Sequence, residues 1–400
     1  MDYWSRHLLR SKQILMINIP FHIPNFPENI EDIFSESVKS GWLTTGSQVN
    51  KLEEKLTKFF DVKYVVAVNS CTAALHLSLA AKGFGLNDKF IIPTLTFAST
   101  IECGEYLGME PVLVDSSEDG FLIDLNQIED LVKNDRSIKA IVPMHYGGEP
   151  VNLEKIMEIA AKYNLFVLQD AAHALETEFN GIKIGKTDHA AAFSFYANKN
   201  MTTGGEGGAV STNDKRLAKK IKKLSLHGIT KDGWNRFKKD GNWEYDIVEM
   251  GYKYNLTDYA ACFGLWQINQ IEKWQIRRDE IVKKYMNGLN HIDSIYLPKV
   301  LKGHSKHLFV IRLDLNKWSI SRNTFIEKMN DNGIGLAVHY KPLHQLSYYK
   351  SKYQFKIDKF PVANLLYESI ISLPIYPKLS DSSLDQIINS ITKLYNMYSK

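Results

Sequence analysis

The stretch "NLEKIMEIAAKYNLFVLQD", residues 152 to 170, contains two different patterns side by side. Residues 152 to 164 carry apolar side chains at helical spacing, which predicts an amphipathic helix. Residues 165 to 170 form an almost continuous apolar run that ends at Asp170, which predicts a strand buried on both faces. A buried strand that follows a helix directly is typical of a parallel sheet covered by helices on both sides. This stretch therefore predicts an α/β fold.

The same alternation extends from about residue 62 to residue 212. Helix-like segments such as "TAALHLSLAAKG", residues 72 to 83, separate short apolar runs. Open sheets of this class bind ligands beyond the carboxyl ends of their strands, so candidate functional residues are sought there. We predict a mostly parallel seven-stranded sheet made of "VKYVVAV" (62 to 68), "KFIIP" (89 to 93), "PVLVD" (111 to 115), "KAIVPMH" (139 to 145), "LFVLQD" (165 to 170), "AAFSFY" (191 to 196) and "GGAVST" (207 to 212).

The pattern changes after residue 255, where apolar side chains at helical spacing fit one long helix or two. A smaller α+β unit follows, and its predicted elements are a strand "HLFVIRLDL" (307 to 315), a helix "SRNTFIEKMNDNGI" (321 to 334) with a serine N-cap, a strand "GLAVHY" (335 to 340) and a last helix (381 to 398). We accordingly divide the chain into an N-terminal segment (1 to 28), a large domain (29 to 275) and a small C-terminal domain (276 to 400).

Composition excludes several classes of protein. The chain has 400 residues, 44% of them hydrophobic and 24% charged, with a net charge of only +4. The basic run at residues 214 to 224 has helical spacing and favours a solvated helix face over a nucleic-acid patch. The three cysteines have no metal-ligand spacing and suggest no disulfide framework, and the apolar piece Ile14 to Ile19 is too short to cross a bilayer. We expect a cytoplasmic protein without a metal site and without a nucleic-acid or membrane partner.

Two segments place reactive side chains just after predicted strands. In "QDAAHA", Asp170 ends a buried strand and needs a partner for its charge, such as a pyridinium nitrogen. The same segment fits equally a helix N-cap aspartate followed by a packing histidine, His173. In "FSFYANKN", Lys199 follows a strand and could form a Schiff base if burial lowered its proton affinity. Taken alone, it reads as an ordinary surface lysine.

Two further segments supply complementary chemistry. "NSCTAALHLSL", residues 69 to 79, has small polar residues at a strand-to-helix junction, which suits a phosphate as well as a simple helix cap. In "IPTLTFAST", Phe97 follows a strand and could stack on a ring, although it could also be a core residue. A phosphate site, a carboxylate and an amine are together what pyridoxal phosphate (PLP) needs.

These segments, in this order, resemble the DegT/StrS family of PLP-dependent sugar aminotransferases, from about Ile19 to the C-terminus. The resemblance implies a fold-type I aminotransferase. Residues 41 to 46, 251 to 261 and 320 to 340 look most like the branch similar to ArnB and PseC, which aminates C4 of UDP-linked 4-keto sugars. The motifs are "SCTAALHLSL", "IIPTLTFAST", "AIVPMHYGG", "DAAHAL", "FSFYANKN", "EGGAV", "LHGI", "GYKYNLTD" and "VHYKPLH".

The resemblance also implies roles for particular residues. Lys199 would bind the cofactor covalently and then move a proton between cofactor and substrate. Asp170 would pair with the ring nitrogen, and His173 would lie near the phenolic oxygen. The other implied cofactor contacts are Thr72, Ala73 and Ser194 at the phosphate, Phe97 on the ring, and Asn255 reaching the phosphate from a neighbouring subunit of a homodimer. The implied nucleotide-sugar contacts are Trp42, Thr44, His339, Tyr340 and His344.

The implied reaction moves an amino group from glutamate to a keto carbon, most simply C4, of a nucleotide-linked 4-keto-6-deoxy sugar in surface-polysaccharide or glycan precursor synthesis. A dehydratase of the same family would carry a histidine in place of Lys199. A non-catalytic regulator or scaffold would not need the full set of residues. Two departures from the family pattern stand out: "TTGGEGG" has one extra glycine, at 204 to 205, and Cys71 replaces a glycine. A cysteine at position 71 requires a negative backbone φ.

Overall fold

The computed structural model describes residues 18–118, 120–230, 244–299 and 302–400. Its largest element is a seven-stranded sheet with the order β1-β9-β8-β5-β4-β2-β3, in which β9 alone runs antiparallel to its neighbours. All seven strands were predicted, and the mostly parallel α/β sheet is confirmed. The strands are β1 (Tyr64–Val68), β2 (Lys89–Pro93), β3 (Glu110–Val114), β4 (Ile138–Ile141), β5 (Phe166–Asp170), β8 (Ala190–Ser194) and β9 (Gly208–Thr212). A two-residue pair, β6 (Glu178–Phe179) and β7 (Ile182–Lys183), forms a separate hairpin.

Helices cover both faces of this sheet, because the central strands have no polar face. All five residues of β5, of β8 and of β9 are buried. Most of these helices begin at a side-chain cap: Ser70, Asp124, Asn152 and Asp214 each accept a hydrogen bond from a first-turn amide. The helices are α1 (Ile30–Ser40), α2 (Ser47–Phe60), α3 (Cys71–Lys82), α4 (Ala98–Glu105), α5 (Leu125–Asn134), α6 (Leu153–Tyr163) and α7 (Lys215–Leu224).

The helical region after residue 255 is divided into two helices, α8 (Asp258–Ile268) and α9 (Ile271–Leu289). Helix α8 packs on α1 and α2 of the large domain. Helix α9 runs through the predicted domain boundary at 275 and packs on the C-terminal helix. The division at residue 275 therefore stays a prediction.

The C-terminal part contains a three-stranded antiparallel sheet in the order β10-β11-β12. Its core, which also includes Ile19 from the N-terminal segment, is separate from the cores around the large sheet. The last helix has the predicted bounds. The elements are β10 (Ile295–Tyr296), β11 (Phe309–Leu313), α10 (Arg322–Asp331), α11 (Ser347–Tyr353), α12 (Pro361–Ser369), β12 (Ile370–Leu373) and α13 (Asp381–Tyr398).

The strand predicted at residues 335 to 340 is wrong. Ala337 makes a single bridge to Ser372, and the chain then leaves the sheet toward Pro342, which cannot donate to a ladder. The position beside β11 is taken instead by β12, which is buried along its whole length. Because residues 335 to 340 are not part of the sheet, their side chains can reach the large domain.

The N-terminal segment is described only from residue 18, so most of the predicted segment 1 to 28 lies outside the described residues. Ile19 bridges Ile334 of the C-terminal part. Within the described ranges, the helices are all too short or too polar to cross a membrane. The same ranges hold no group of three or more His, Cys, Asp or Glu side chains that could bind a metal ion.

Candidate active site

A cavity of about 500 Å³ lies at the carboxyl ends of β1, β2, β5 and β8. Because these strands point in the same direction, their ends meet at one edge of the sheet, as expected for an open α/β fold. Side chains that are far apart in the sequence therefore face a single space. Seven of the predicted site residues line it, namely Thr72, Phe97, Asp170, Ser194, Lys199, His339 and Tyr340.

Asp170 is the last residue of β5 and is 2% exposed. The hydroxyl of Thr100 donates to Oδ2 of Asp170 at 2.7 Å, and the amide of Ala172 donates to Oδ1 at 3.1 Å. Burial raises the pKa of Asp170, while these two donors and the charge of Lys199 oppose the rise. A buried carboxylate in this position favours a cationic partner in the cavity.

Lys199 lies in the turn after β8, five residues beyond Ser194. Strand β8 is the parallel neighbour of β5, and Ala192 is the register partner of Asp170, so the turn delivers Lys199 beside that carboxylate. Burial lowers the pKa of Lys199 from 10.5 to about 8, although Cys71 and Asp170 both act to raise it. An amine with a pKa near neutral pH is a competent nucleophile and base. Lys199 is therefore not the surface lysine that its own segment suggests.

The N-terminus of α3 forms another side of the cavity. Ser70 caps this helix by accepting from the amide of Ala73 at 3.1 Å, while Thr72 lines the cavity. Ser194, at the end of β8, lines the same cavity. Gly208 permits this arrangement, because a Cβ there would lie 2.6 Å from the backbone of Ser70. Hydroxyls beside a helix N-terminus suit a phosphate, whereas Ala73 has its amide already bonded and is absent from the lining.

His173 lies behind Tyr340 rather than in the cavity lining. The amide of Gly147 donates to Nδ1 of His173 at 3.1 Å, so the ring carries its proton on Nε2. That nitrogen is 2.9 Å from the Tyr340 hydroxyl and donates to it, which leaves the Tyr340 proton available to the cavity. Burial and the charge of Lys199 hold the pKa of His173 well below 6.5, so the ring remains neutral.

A hydrogen-bonded group supports the turn that carries Lys199, and sequence reasoning missed it. Asn200 donates to Oε2 of Glu176 at 3.0 Å and to the carbonyl of Ser305 at 3.3 Å. The Nδ1 of His307 donates to Oδ1 of Asn200 at 2.9 Å, and the His307 ring lies 4.3 Å from His173. Burial raises the pKa of Glu176 to about 7. The adjacency of Asn200 to Lys199 was the available signal, but its partners come from distant segments.

Phe97 and His339 occupy the open side of the cavity. Phe97 is 56% exposed, and its ring centroid lies 5.7 Å from that of Tyr340. An exposed aromatic ring in a cavity is available for stacking on a ligand and is not the core residue that the alternative reading required. Nδ1 of His339 lies 2.8 Å from the Ser372 hydroxyl, and burial lowers the pKa of His339 to about 4.

Three predicted site residues, Asn255, Trp42 and Thr44, lie outside the cavity but close to one another. Asn255 donates to the Thr45 hydroxyl at 2.7 Å, and Trp42 donates from its indole to the Thr45 carbonyl at 3.0 Å. The carbonyl of Thr44 accepts from the amide of Asp258 at 3.2 Å. The carboxylate of Asp258 in turn accepts from three amides at the start of α2. These bonds hold residues 42 to 46 against residues 255 to 258, and the three predicted residues are absent from the cavity lining that includes this chain's Lys199.

His344 is also placed elsewhere. It is fully buried, and its ring stacks on Phe360 at 4.5 Å. Both ring nitrogens are bonded, with Nδ1 2.7 Å from the Thr94 hydroxyl and Nε2 2.8 Å from Oδ1 of Asn364. This histidine therefore joins the end of β2 to α12 and has no nitrogen left for a substrate.

Of the two departures from the family pattern, Cys71 lines the cavity, and the glycine pair directly precedes a lining residue, Glu206. Cys71 is the first residue of α3 and has a negative φ, as its prediction required. Gly204 and Gly205 both have positive φ, 91° and 137°, a conformation that strongly favours glycine. The loop that they form places Glu206 in the lining, together with Tyr196 and Asn198. None of these three side chains was predicted as a site residue: Tyr196 was predicted to end a strand, and Asn198 and Glu206 fall in a turn without periodic pattern.

The residues present fit PLP. Asp170 is buried beside one lysine and would gain a second cation from a protonated ring nitrogen. The volume is in the range of small-molecule sites, and a helix N-terminus with two hydroxyls lies in the same lining as the lysine. Lys199, Asp170, Thr72 and Ser194 are the side chains that can hold the cofactor, with Phe97 beside its ring.

Comparisons with known proteins show the family to which the chain belongs. Residues 25–392 match the model of the DegT/DnrJ/EryC1/StrS aminotransferase family. The chain is 39% identical over 377 residues to the spore coat polysaccharide biosynthesis protein SpsC of Bacillus subtilis, which covers 93% of this chain and 96% of SpsC.

Solved structures give the same result. Spr1654 of Streptococcus pneumoniae, assigned as a sugar aminotransferase, matches in its PMP form with a TM-score of 0.87 and 31% identity, over 95% of this chain and 98% of that one. The same protein has also been solved in a PLP form. PseC of Helicobacter pylori, an aminotransferase involved in the biosynthesis of pseudoaminic acid, matches with a TM-score of 0.87 and 27% identity, over 95% of this chain and 99% of PseC.

Proposed function

The chain belongs to the DegT/DnrJ/EryC1/StrS aminotransferase family, and on that premise we propose that it aminates a nucleotide-linked sugar. It is a PLP-dependent transaminase of fold type I. In the proposed reaction, glutamate supplies the amino group. The acceptor is the C4 keto carbon of a nucleotide-linked 4-keto-6-deoxy sugar, and the product is a precursor of a surface polysaccharide or glycan.

The observation that carries this proposal is the placement of Lys199 and Asp170 at the ends of adjacent parallel strands, facing one cavity. When bound, PLP supplies an electron sink for the bond that is made or broken at the amine-bearing carbon. Asp170 would keep a negative charge next to the ring nitrogen and hold it protonated. The helix N-terminus at Thr72 and the hydroxyl of Ser194 would bind the phosphate and so orient the ring.

Lys199 moves the proton. Its lowered pKa, about 8, lets the amine accept a proton from carbon at neutral pH and return it to carbon in the opposite half-reaction. One group can serve both half-reactions because glutamate and the sugar occupy the same cavity in turn. Burial of Asp170 and of the ring of His173 keeps water away from the reacting atoms on that side.

Tyr340 provides a second positioned proton. Because the hydroxyl accepts from Nε2 of His173, its own hydrogen is directed away from that ring. A keto oxygen in the cavity would receive this hydrogen bond, which polarises the carbonyl that the amine attacks. His339 stands beside Tyr340 in the lining and completes the side that faces the substrate.

The relatives support a sugar acceptor. SpsC is named for polysaccharide biosynthesis, and PseC for the biosynthesis of pseudoaminic acid, which is itself a sugar acid. The choice of C4 and of a UDP-linked sugar rests on the resemblance of residues 41 to 46, 251 to 261 and 320 to 340 to the branch similar to ArnB and PseC. The dehydratase alternative has a histidine where this chain has Lys199.

The site would be completed by a second copy of the chain. Asn255, Trp42 and Thr44 form one bonded group outside this chain's cavity, so their proposed roles require a neighbouring subunit. We infer a homodimer in which Asn255 of each chain reaches the phosphate in the other. Mixing the separately inactive variants Lys199→Ala and Asn255→Ala would then restore activity, since each heterodimer has one intact site. Mixtures as inactive as their components would contradict the shared site.

The acceptor is tested with a panel of keto sugars. The purified protein, loaded with PLP, is incubated with glutamate and with 4-keto and 3-keto sugars linked to UDP, dTDP or GDP. The masses of the products are measured by mass spectrometry. We expect an amino sugar from a UDP-linked 4-keto substrate. A product that has lost water without gaining nitrogen would support the dehydratase, and the absence of any aminated sugar across the panel would overturn the proposal.

A further inference from the structure

One side of the cavity is formed by Tyr196, Asn198 and Glu206, which we call the turn wall. All three belong to the connection between β8 and β9, on either side of Lys199. Hydrogen bonds satisfy most polar side chains elsewhere in the site. The hydrogen bonding of these three side chains therefore indicates what they can bind.

Among the residues that the structure describes, the polar side chains of the turn wall have no hydrogen-bond partner. Oδ1 of Asn198 is buried, and within the described ranges it has no hydrogen-bond partner. Such an atom carries a desolvation penalty when nothing bonds to it. The carboxylate of Glu206 makes no hydrogen bond or ion pair to any residue that the structure describes. Tyr196 is 45% exposed and presents its ring to the cavity.

The backbone holds Glu206 in place. The hydroxyl of Thr203 donates to the carbonyl of Glu206 at 2.6 Å, and the amide of Gly205 donates to the Thr202 hydroxyl at 3.2 Å. Gly205 also bridges Tyr196. The two glycines with positive φ therefore form a bonded loop that holds the backbone of Glu206 in place, and its exposed side chain lines the cavity.

The chemistry of the turn wall selects the ligand. A carboxylate accepts hydrogen bonds, an amide both donates and accepts, and an aromatic ring packs on apolar C–H groups. A sugar ring offers hydroxyl or acetamido groups for the first two and C–H faces for the third. A phosphate or the carboxylates of glutamate would be repelled by Glu206.

We propose that the turn wall binds the sugar ring of the acceptor, with Glu206 accepting from a ring hydroxyl and the Asn198 amide bonding the neighbouring hydroxyl or acetamido group. This inference rests on the proposed function, since it assigns an orientation to that substrate. The nucleoside diphosphate then lies toward other parts of the site, and Asn198 and Glu206 determine which sugars are accepted.

The test measures the contribution of the sugar to binding separately from that of the nucleotide. Calorimetry gives the dissociation constants of UDP-N-acetylglucosamine and of UDP, each measured on PLP-loaded protein that has been reduced with borohydride. The dissociation constant of UDP divided by that of UDP-N-acetylglucosamine gives the contribution of the sugar to the affinity. We expect the ratio to fall about 10-fold or more in Glu206→Gln and about 3- to 10-fold in Asn198→Ala, while UDP binding is unchanged. Glu118→Gln, which removes one exposed negative charge that does not line the cavity, is the matched control and keeps the wild-type ratio.

A second measurement uses the amino donor. Glutamate converts the PLP form to the PMP form, which is followed by absorbance without any sugar present. Since the turn wall does not bind glutamate, we expect both variants to keep the wild-type rate, with Glu206→Gln equal or faster because a repulsive charge is removed.

Three results would overturn the inference. They are a wild-type protein in which the sugar adds nothing to UDP binding, variants that keep the full sugar contribution, and variants in which UDP and glutamate weaken together. A protein that fails to react with glutamate at all would instead contradict the proposed function, whatever the calorimetry gives.

Discussion

The floor of the cavity, formed by Asp170 and Lys199, differs from the turn wall in how its polar groups are satisfied. At the floor, two donors from the same chain bond the carboxylate, and each charged group shifts the pKa of the other. In the turn wall, Oδ1 of Asn198 is left without a partner among the described residues. The floor is 2% exposed at Asp170, whereas the wall reaches 45% exposure at Tyr196.

This difference indicates a division of labour. Groups that act on every turnover are fixed by the fold before any ligand arrives, which lowers the cost of reorganisation during the reaction. Groups that recognise one substrate keep open hydrogen-bonding positions for it. Substitutions at the floor should therefore affect both half-reactions, and substitutions in the turn wall should affect the sugar alone.

The largest effect is expected for Lys199→Ala. Loss of the amine removes both the covalent link and the proton carrier, so kcat should fall by roughly 10³-fold or more. The absorbance band of the lysine-bound cofactor should disappear, while circular dichroism shows an intact fold. A variant that retains the band would show that another amine binds the cofactor, and the account of the floor would fail.

Asp170→Asn should have the next largest effect. The amide keeps the shape but cannot hold the ring nitrogen protonated, so kcat should fall about 10²- to 10³-fold in both half-reactions. The cofactor-free protein should behave in the opposite way: burial penalises the charge of Asp170, so the variant should melt at the same temperature as the wild type or higher. A cofactor-free variant that melts well below the wild type would contradict this view of the carboxylate.

The pH dependence of cofactor capture tests the environment of Lys199. The folded pKa of about 8 lies below the ordinary 10.5, so the neutral amine predominates above pH 8. The rate of appearance of the lysine-bound band after PLP is added to cofactor-free protein should rise with a midpoint near pH 8 and then level off. Between pH 8 and 10.5 the unfolded chain binds more protons at this lysine, so its contribution to the free energy of unfolding should increase with pH. A rate that still rises steeply above pH 9.5 would mean that the amine is not shifted.

The smallest effect is expected for Thr100→Val, which removes one of the two donors to Asp170 and conserves volume. A neutral donor to a carboxylate contributes modestly, so cofactor affinity should weaken about 3- to 10-fold. Titration of cofactor-free protein with PLP measures this change, and Thr57→Val in α2, whose hydroxyl donates to the Glu53 carbonyl outside the cavity, serves as control. An unchanged affinity would show that the amide of Ala172 alone positions the carboxylate.

Much of the fold follows from local pattern. The seven strands of the large sheet could be predicted because each is a short apolar run, and helix-like segments separate many of them. Strand β5 is the clearest case, since all five of its residues are buried. The same reasoning failed at residues 335 to 340, which were predicted to form a strand. Whether that segment or Ile370–Leu373 pairs with β11 is decided by long-range packing, which a local pattern does not contain.

Only part of the site could be predicted from the sequence. Asp170 and Lys199 could be found because both follow predicted strands that the fold brings together. The turn wall could not, because its residues lie in an irregular loop whose shape depends on Gly204 and Gly205. His344 lies in a motif that resembles a substrate site, yet its two ring nitrogens bond Thr94 and Asn364, partners about 250 and 20 residues away.

The most direct test of the central claim follows one sample through both half-reactions by absorbance. Glutamate is added to the PLP-loaded protein, the excess is removed, and a UDP-linked 4-keto-6-deoxy sugar is then added. We predict that the band of the lysine-bound cofactor is lost with glutamate, returns with the keto sugar, and never forms in Lys199→Ala. A band that is unaffected by glutamate, or that no keto sugar restores, would contradict the account.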